Sequence, residues 1–459
     1  MQKVQDNSYF ETAPIGRLLA KFAIPGIISL VVNALYNIVD QIFIGQGVGY
    51  LGNGATTVVF PLTMIAISIA LLLGDGGAAY LSLKLGEGSK PQARRGVGNS
   101  IVLLAGASIV LLVIFLVFMT PLLKLFGATE NILPYAQDYG LIIINGLPCR
   151  VCSTGFNSLI RADGNPRLSM ISMLVGAVIN TILDPVFIFA CHWGVKGAAL
   201  ATILGQIASF IISTLYLRKL KSVRLDKRCM ILSTRILRSS LTLGLSSFIT
   251  QISIVIVAAL MNNLMKIYGA QSPYGPDIPM TVFGIVMKID QILIAILIGL
   301  ATGAQPILGY NYGAGNIKRV RKIYGVMVTI SLVISAIGLF VFEVFPQPII
   351  NIFGSESALY NQYAVMAFRI FLMMCIPVGY QISSSIFLQA IGKPLPSMNS
   401  ALLRQLIIFI PAALILPRFT GVEGLLWAGP ISDLTSALIT LCMIIYTMKK
   451  MKEYKRNHE

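Results

Sequence analysis

The chain is 459 residues long, 56% hydrophobic and 12% charged, with a mean hydropathy of +0.80. Soluble domains carry about 25% charged residues, so a soluble globular protein is excluded and a polytopic membrane protein is expected. The formal net charge of +17 does not point to nucleic acid, because the basic residues sit in short runs between apolar spans without interleaved aromatics.

Apolar spans fall at 22–44, 56–80, 97–121, 136–160, 168–190, 198–217, 238–265, 279–305, 323–345, 361–388, 398–417 and 424–446. A bilayer crossing needs about 20 such residues, so the pattern predicts twelve transmembrane helices with short connections. The first fifteen residues are polar and the first apolar stretch is too long for an h-region, so no cleavable signal peptide is expected. With the N-terminus inside, the external loops hold Lys124, Lys196, Lys266 and Arg418, and the spans hold Arg150, Lys288, Arg369 and Arg404. Every other Lys and Arg falls in internal loops or tails. The positive-inside rule then places both termini in the cytoplasm of a cell that carries the protein in its plasma (inner) membrane.

In the first span Asn33, Tyr36, Asn37 and Asp40 stand at i, i+3, i+4 and i+7, which puts them on one helical face. An aspartate inside a membrane span is costly and by default marks a functional site facing protein or water. In the fifth span Asn180 and Asp184 are at i and i+4, and in the sixth so are Thr202 and Gln206. Pooled from three helices, these carboxylate, amide and hydroxyl oxygens suit a hard cation, and the two acids also suit a proton. The competing reading is that Asp40 and Asp184 merely cap helices or bond neighbouring backbone.

The chain repeats itself. Ala162, Gly164, Pro166, Ser169 and Met170 recur 228 residues later as Ala390, Gly392, Pro394, Ser397 and Met398. Gly194, Val195, Gly197 and Ala201 recur 227 later as Gly421, Val422, Gly424 and Ala428, and Gly76, Gly86 and Gly88 as Gly303, Gly313 and Gly315. Six spans per half is an even number, so both halves enter the membrane alike, as parallel repeats around a central cleft. The expected fold is an all-α membrane protein with an N-terminal lobe (residues 1–222) and a C-terminal lobe (residues 223–459), joined by the basic segment Arg218–Arg238. Alternating access by rocking lobes follows, helped by Gly and Pro within spans, Pro25 among them.

The second half lacks an acid in its seventh span and, as far as Leu416, in its eleventh, so coupling chemistry is expected in the N-terminal lobe. Lys288 and Asp290 at i and i+2 point apart on the eighth span, and structural pairing and substrate contact both remain open for them. The roles of Arg404 and Asp433 also stay open. Asp75, before Gly76-Gly77, is read as a local cap. Methionines and aromatics such as Met64, Met173, Met261, Met265, Met287 and Phe283 fit ordinary packing or an adaptable cavity. The six cysteines, including Cys149 and Cys152, are read as small buried side chains. The histidines are His192 and His458, and HExxH, Walker A and GxSxG motifs are absent, so neither an enzyme nor ATP-driven transport is expected.

Several stretches resemble the multidrug and toxic compound extrusion (MATE) family: Asn37-Ile-Val-Asp40-Gln-Ile-Phe-Ile-Gly45, Arg161-Ala-Asp-Gly-Asn-Pro-Arg167, Asn180-Thr-Ile-Leu-Asp184-Pro, and Gly303-Ala-Gln-Pro-Ile-Leu-Gly-Tyr-Asn-Tyr-Gly-Ala-Gly315. The resemblance implies a secondary antiporter that exports hydrophobic, cationic organic compounds in exchange for Na⁺ or H⁺, with no cofactor beyond the coupling ion. Within it, the prokaryotic branch that couples through the N-lobe matches best. There Asp40, Asn180, Asp184 and Thr202 form the cation site, Asn33, Tyr36, Asn37 and Gln206 support it, and Pro25 bends the first helix. Lys288 stands where relatives often carry arginine, and Asp290 lies outside the family pattern. Small organic substrates and the bilayer are the expected partners of a monomer, with neither nucleic acid nor ATP. The alternative is a lipid-linked precursor flippase of the wider superfamily, whose cavity should present several cations to a phosphate-bearing headgroup.

Overall fold

The computed structural model describes residues 9–456 except 49, 127, 129, 276 and 353–357; His458 lies outside the described residues. Twelve membrane-length helical segments follow the twelve apolar spans. They are α1 (Ile15–Val48), α2 (Tyr50–Gly86), α3 (Lys90–Val117), α4 (Leu133–Ala162), α5 (Pro166–Ala190), α6 (Gly194–Leu217), α7 (Thr234–Ala270), α8 (Asp277–Gly313), α9 (Ile317–Val344), α10 (Ala358–Leu372 and Cys375–Ala390), α11 (Pro394–Thr420) and α12 (Val422–Arg456). Many run well past their apolar limits, because polar flanking turns at the membrane surface keep the backbone helical. Two are irregular: α10 bends by 42° at its break, and α11 passes through a π turn at Leu403–Ile407.

The repeat glycines explain themselves in the backbone. Gly88 and Gly315, Gly164 and Gly392, and Gly194 and Gly421 all adopt positive φ between +55° and +90°, the left-handed turn conformation that a Cβ opposes. Asn165 and Asn316 then cap α5 and α9, accepting from Leu168 N and Arg319 N at 3.3 Å.

Each lobe packs its own six helices, and the lobes meet along two related seams, α1 on α8 and α2 on α7. Both seams are built on glycine. A Cβ at Gly26 would lie 2.8 Å from Gly299 O, one at Gly303 would lie 2.6 Å from Ala23 Cα, and a Cβ at Gly244 would overlap Leu72 O. Close backbone approach of this kind drives helix association in lipid, where apolar burial gives no advantage. All of these contacts lie toward the end of the bundle that carries the basic loops. At that end the short helix Tyr9–Thr12 and the start of α1 pack into the C-terminal lobe. Phe10 is buried there, and its carbonyl accepts from Asn311 Nδ2 at 3.2 Å and Arg319 Nε at 2.9 Å.

The connecting segment is tied down at the same end. The Asp163 carboxylate accepts from the backbone N–H groups of Lys221 and Ser222, each at 2.9 Å, and from Tyr216 Oη at 2.9 Å. Burial pushes the Asp163 carboxyl above its ordinary pKa, against the opposing pull of these donors. Asn99 on α3 holds Cys229 O, Ile231 O and Ser233 N.

Because the seams leave no room for a side chain, Gly244→Ala should lower the thermal unfolding midpoint of the purified protein, an overpacking effect of about 1–3 kcal/mol. Gly106→Ala, where a Cβ meets nothing within 4 Å, should leave that midpoint within about a degree. Equal midpoints for both variants would show that the seam is not tight.

Candidate functional site

The polar residues of α1, α5 and α6 converge inside the N-terminal lobe. Asn180 and Asp184 share one face of α5, and both are buried, as is Thr202 on α6. Asn180 Nδ2 donates to Asp184 Oδ1 and to Thr202 Oγ1, each at 3.2 Å. Asp40 brings its carboxyl within hydrogen-bond reach of Asp184. The four residues expected to pool across three helices therefore do meet.

Their bonding is incomplete. Asp40 Oδ1, Asp184 Oδ2 and Asn180 Oδ1 are buried and receive no hydrogen bond, and Gln206 Nε2, one turn beyond Thr202, finds no acceptor. Buried polar atoms are normally satisfied, and orphaned ones call for an explanation. Two carboxyl groups in contact cannot both carry charge without a proton or cation between them. The oxygen-only donor set fits Na⁺ as a hard cation, and the carboxyl pair fits a proton.

The rest of the α1 stripe divides. Tyr36 lies near the acids and near the Arg150 side chain from α4. Tyr139, also on α4 and buried, lies near Asp40, Asp184, Tyr36 and Arg150. Asn37 is exposed and donates to Asn33 O at 2.6 Å, so it satisfies itself within α1. Pro25 lies inside an unbroken α1 at the glycine seam, with Ser29 Oγ donating to its carbonyl at 2.7 Å.

Arg150 and Tyr139 were missed as parts of this pocket. An arginine within an apolar span is itself the signal, but its partner comes from another helix and could not be read from spacing.

The second-half charges sort as follows. Arg404, in the π turn of α11, pairs with Asp433 of α12 at 2.8 Å, and Asp290 of α8 lies close to both. Arg369 faces Glu343 at 3.9 Å. Lys288 is exposed and makes no ion pair or side-chain hydrogen bond among the described residues. Asp75 is not a local cap. It is buried, accepts from Ser158 Oγ at 2.7 Å and lies 3.7 Å from Arg161 in its own lobe, and accepts from Ser247 Oγ of α7 at 2.9 Å. Ser247 in turn accepts from Gln389 Nε2 at 3.3 Å, so one carboxylate bridges the lobes at the basic end.

Two like six-helix lobes, glycine seams at one end and an ionisable pocket buried in one lobe are the build of a membrane transporter. The MatE family model matches residues 25–186 and 254–415, one match in each half, and the chain belongs to this family of multidrug efflux transporters. It is a family of transporters and not of enzymes. The chain is 25% identical over 443 residues to a FAD transporter of Shewanella oneidensis, covering 94% of each. It is 24% identical over 448 residues to the multidrug export protein MepA of Staphylococcus saprophyticus, covering 96% of each. Among solved structures it resembles the outward-facing conformation of a multidrug resistance MATE family transporter of the MOP superfamily, with a TM-score of 0.91 and 22% identity over 98% of this chain and all of that one.

If the orphaned oxygens hold a cation, adding Na⁺ or lowering the pH should raise the thermal unfolding midpoint of the detergent-purified protein, since a ligand that binds the folded state stabilises it. Asp184→Asn should remove that gain. A wild-type midpoint insensitive to both ions would leave the pocket a structural network.

Proposed function

We propose that the protein is a cation-coupled antiporter that exports hydrophobic organic compounds, cationic drugs among them, in exchange for inward Na⁺ or H⁺. The observation that carries this reading is the buried Asn180–Asp184–Thr202 network beside Asp40 inside a membrane-spanning lobe, with carboxyl and amide oxygens that receive no hydrogen bond. A pair that needs a positive charge between its oxygens binds a coupling ion strongly when filled and resists standing empty. That is the differential affinity a two-state transporter requires.

Basic loops mark the cytoplasmic side, so both termini lie in the cytoplasm of a cell with this protein in its plasma membrane. With the lobes sealed by Gly26, Gly299, Gly303 and Gly244 at that side, the cleft opens outward. Ion loading at Asp40, Asn180, Asp184 and Thr202 from outside favours rocking of the lobes, and Pro25, at the level where α1 leaves the seam, lets α1 bend as they do. The inward-open cleft then takes up its substrate from the cytoplasm or inner leaflet. A single chain contains both lobes and needs neither ATP nor a bound cofactor for this cycle.

The lipid-linked precursor flippase is not favoured. Of the cations within the spans, Arg404 and Arg369 lie against acids and Arg150 lies near the carboxyl pocket, and Lys288 has no ion-pair partner among the described residues.

Reconstituted in proteoliposomes, the protein should export ethidium when a Na⁺ gradient or a proton gradient is imposed separately, and one of the two should suffice. Asp40→Asn should reduce that transport at least about a hundredfold at unchanged protein level, as expected for loss of a buried ion ligand. Undiminished transport by the variant would remove Asp40 from the coupling site.

A further inference from the structure

Beyond the contacts at Gly26–Gly299 and Ala23–Gly303, the same faces of α1 and α8 carry exposed or half-exposed polar residues toward the other end. On α8, Lys288 precedes Gly299 by eleven residues, about three turns, and so projects from the same face. Thr281 and Gln291 flank Lys288 on that side, and all three are exposed. The apolar residues Val286, Leu293 and Leu297 are buried against the C-terminal lobe from the opposite side of the helix. On α1, Asn33 and Asn37 follow Gly26 by about two and three turns and occupy the seam face in the same way. Lipid expels such groups, so these two facing polar stripes line the open part of the cleft.

The walls differ in charge. The N-terminal wall carries the Asp40–Asp184 pocket behind its amides. The C-terminal wall presents the Lys288 ammonium, about 16 Å along α8 from the seam at a rise of 1.5 Å per residue. Among the described residues no carboxylate pairs with Lys288. Asp290, two residues on, points away toward Arg404 and Asp433.

We infer that Lys288 is a substrate-binding residue that recognises an anionic group, a carboxylate or a phosphate, on compounds entering the cleft. An ammonium without an ion-pair partner gains a charge-assisted hydrogen bond from such a group, and it repels a purely cationic compound. The substrate class therefore extends to amphiphiles that carry an acid, with or without a cationic centre. This inference rests on the cleft being the transport path.

The test is proteoliposome transport of three probes: ethidium as a permanent cation, fluorescein as a carboxylate without phosphate, and FAD as a carrier of phosphates. Lys288→Gln should raise KM for fluorescein, for FAD or for both by about tenfold or more, the loss of one charge-assisted bond, while ethidium stays within twofold or improves. Lys288→Arg should restore the affected probe. Loss confined to fluorescein assigns the site to carboxylates, and loss confined to FAD assigns it to phosphates. Equal loss for all three probes, no change for any, or wild-type transport of ethidium alone would each overturn the assignment. A wild type that moves none of the three would instead overturn the transport reading beneath it.

Discussion

Two carboxyl groups in contact inside a membrane-spanning lobe are the constraint around which the rest is arranged. Charge in a low-dielectric interior is costly, and the Asp40–Asp184 pair lacks the donors that would normally offset that cost. Asn180 Nδ2 donates to Asp184 Oδ1 and to Thr202 Oγ1, and Asp40 Oδ1, Asp184 Oδ2 and Asn180 Oδ1 are left without a donor. In the proposed cycle a cation or proton at these oxygens is what lets the pocket drive a conformational change.

The contacts between the lobes combine two kinds of packing. Backbone meets backbone through Gly26, Gly244, Gly299 and Gly303, and beside it Leu18, Leu19 and Phe22 of α1 share a buried apolar cluster with Leu300, Ala304 and Ile307 of α8. A side-chain bridge crosses the α2–α7 seam, from Ser247 to Asp75. Arg161 and Ser158 hold that carboxylate from within the N-terminal lobe, so it keeps partners when the bridge breaks. Each lobe, by contrast, is fastened internally by buried serine contacts such as Ser172 to Ser209 and Ser331 to Ser383. Polar bonds of this sort hold helices together where apolar burial cannot.

The two lobes share a backbone plan but not a chemistry. The second lobe holds a neutralised Arg404–Asp433 pair, with Asp290 near it, on the helices related to those that carry the N-terminal pocket. Lys288 of α8 makes no ion pair among the described residues. On the proposals made above, the repeat separates a side that responds to the ion from a side that meets the compound.

The sequence alone determined the number of helices and the parallel repeat. Span length is set by bilayer thickness, and turn glycines such as Gly88 and Gly315 are fixed by local backbone sterics. It also singled out Asp40, Asn180, Asp184 and Thr202, because polar groups at helical spacing within apolar spans stand out against their surroundings. Tertiary structure decided everything that depends on which helix faces which. It turned Tyr36 to Arg150 while leaving Asn37 bonded within its own helix, and made Asp75 a bridge between lobes. It also paired Arg404 with Asp433 while leaving Lys288 free. Partners from distant helices are chosen by packing across the bundle, and no local spacing in the chain encodes that choice.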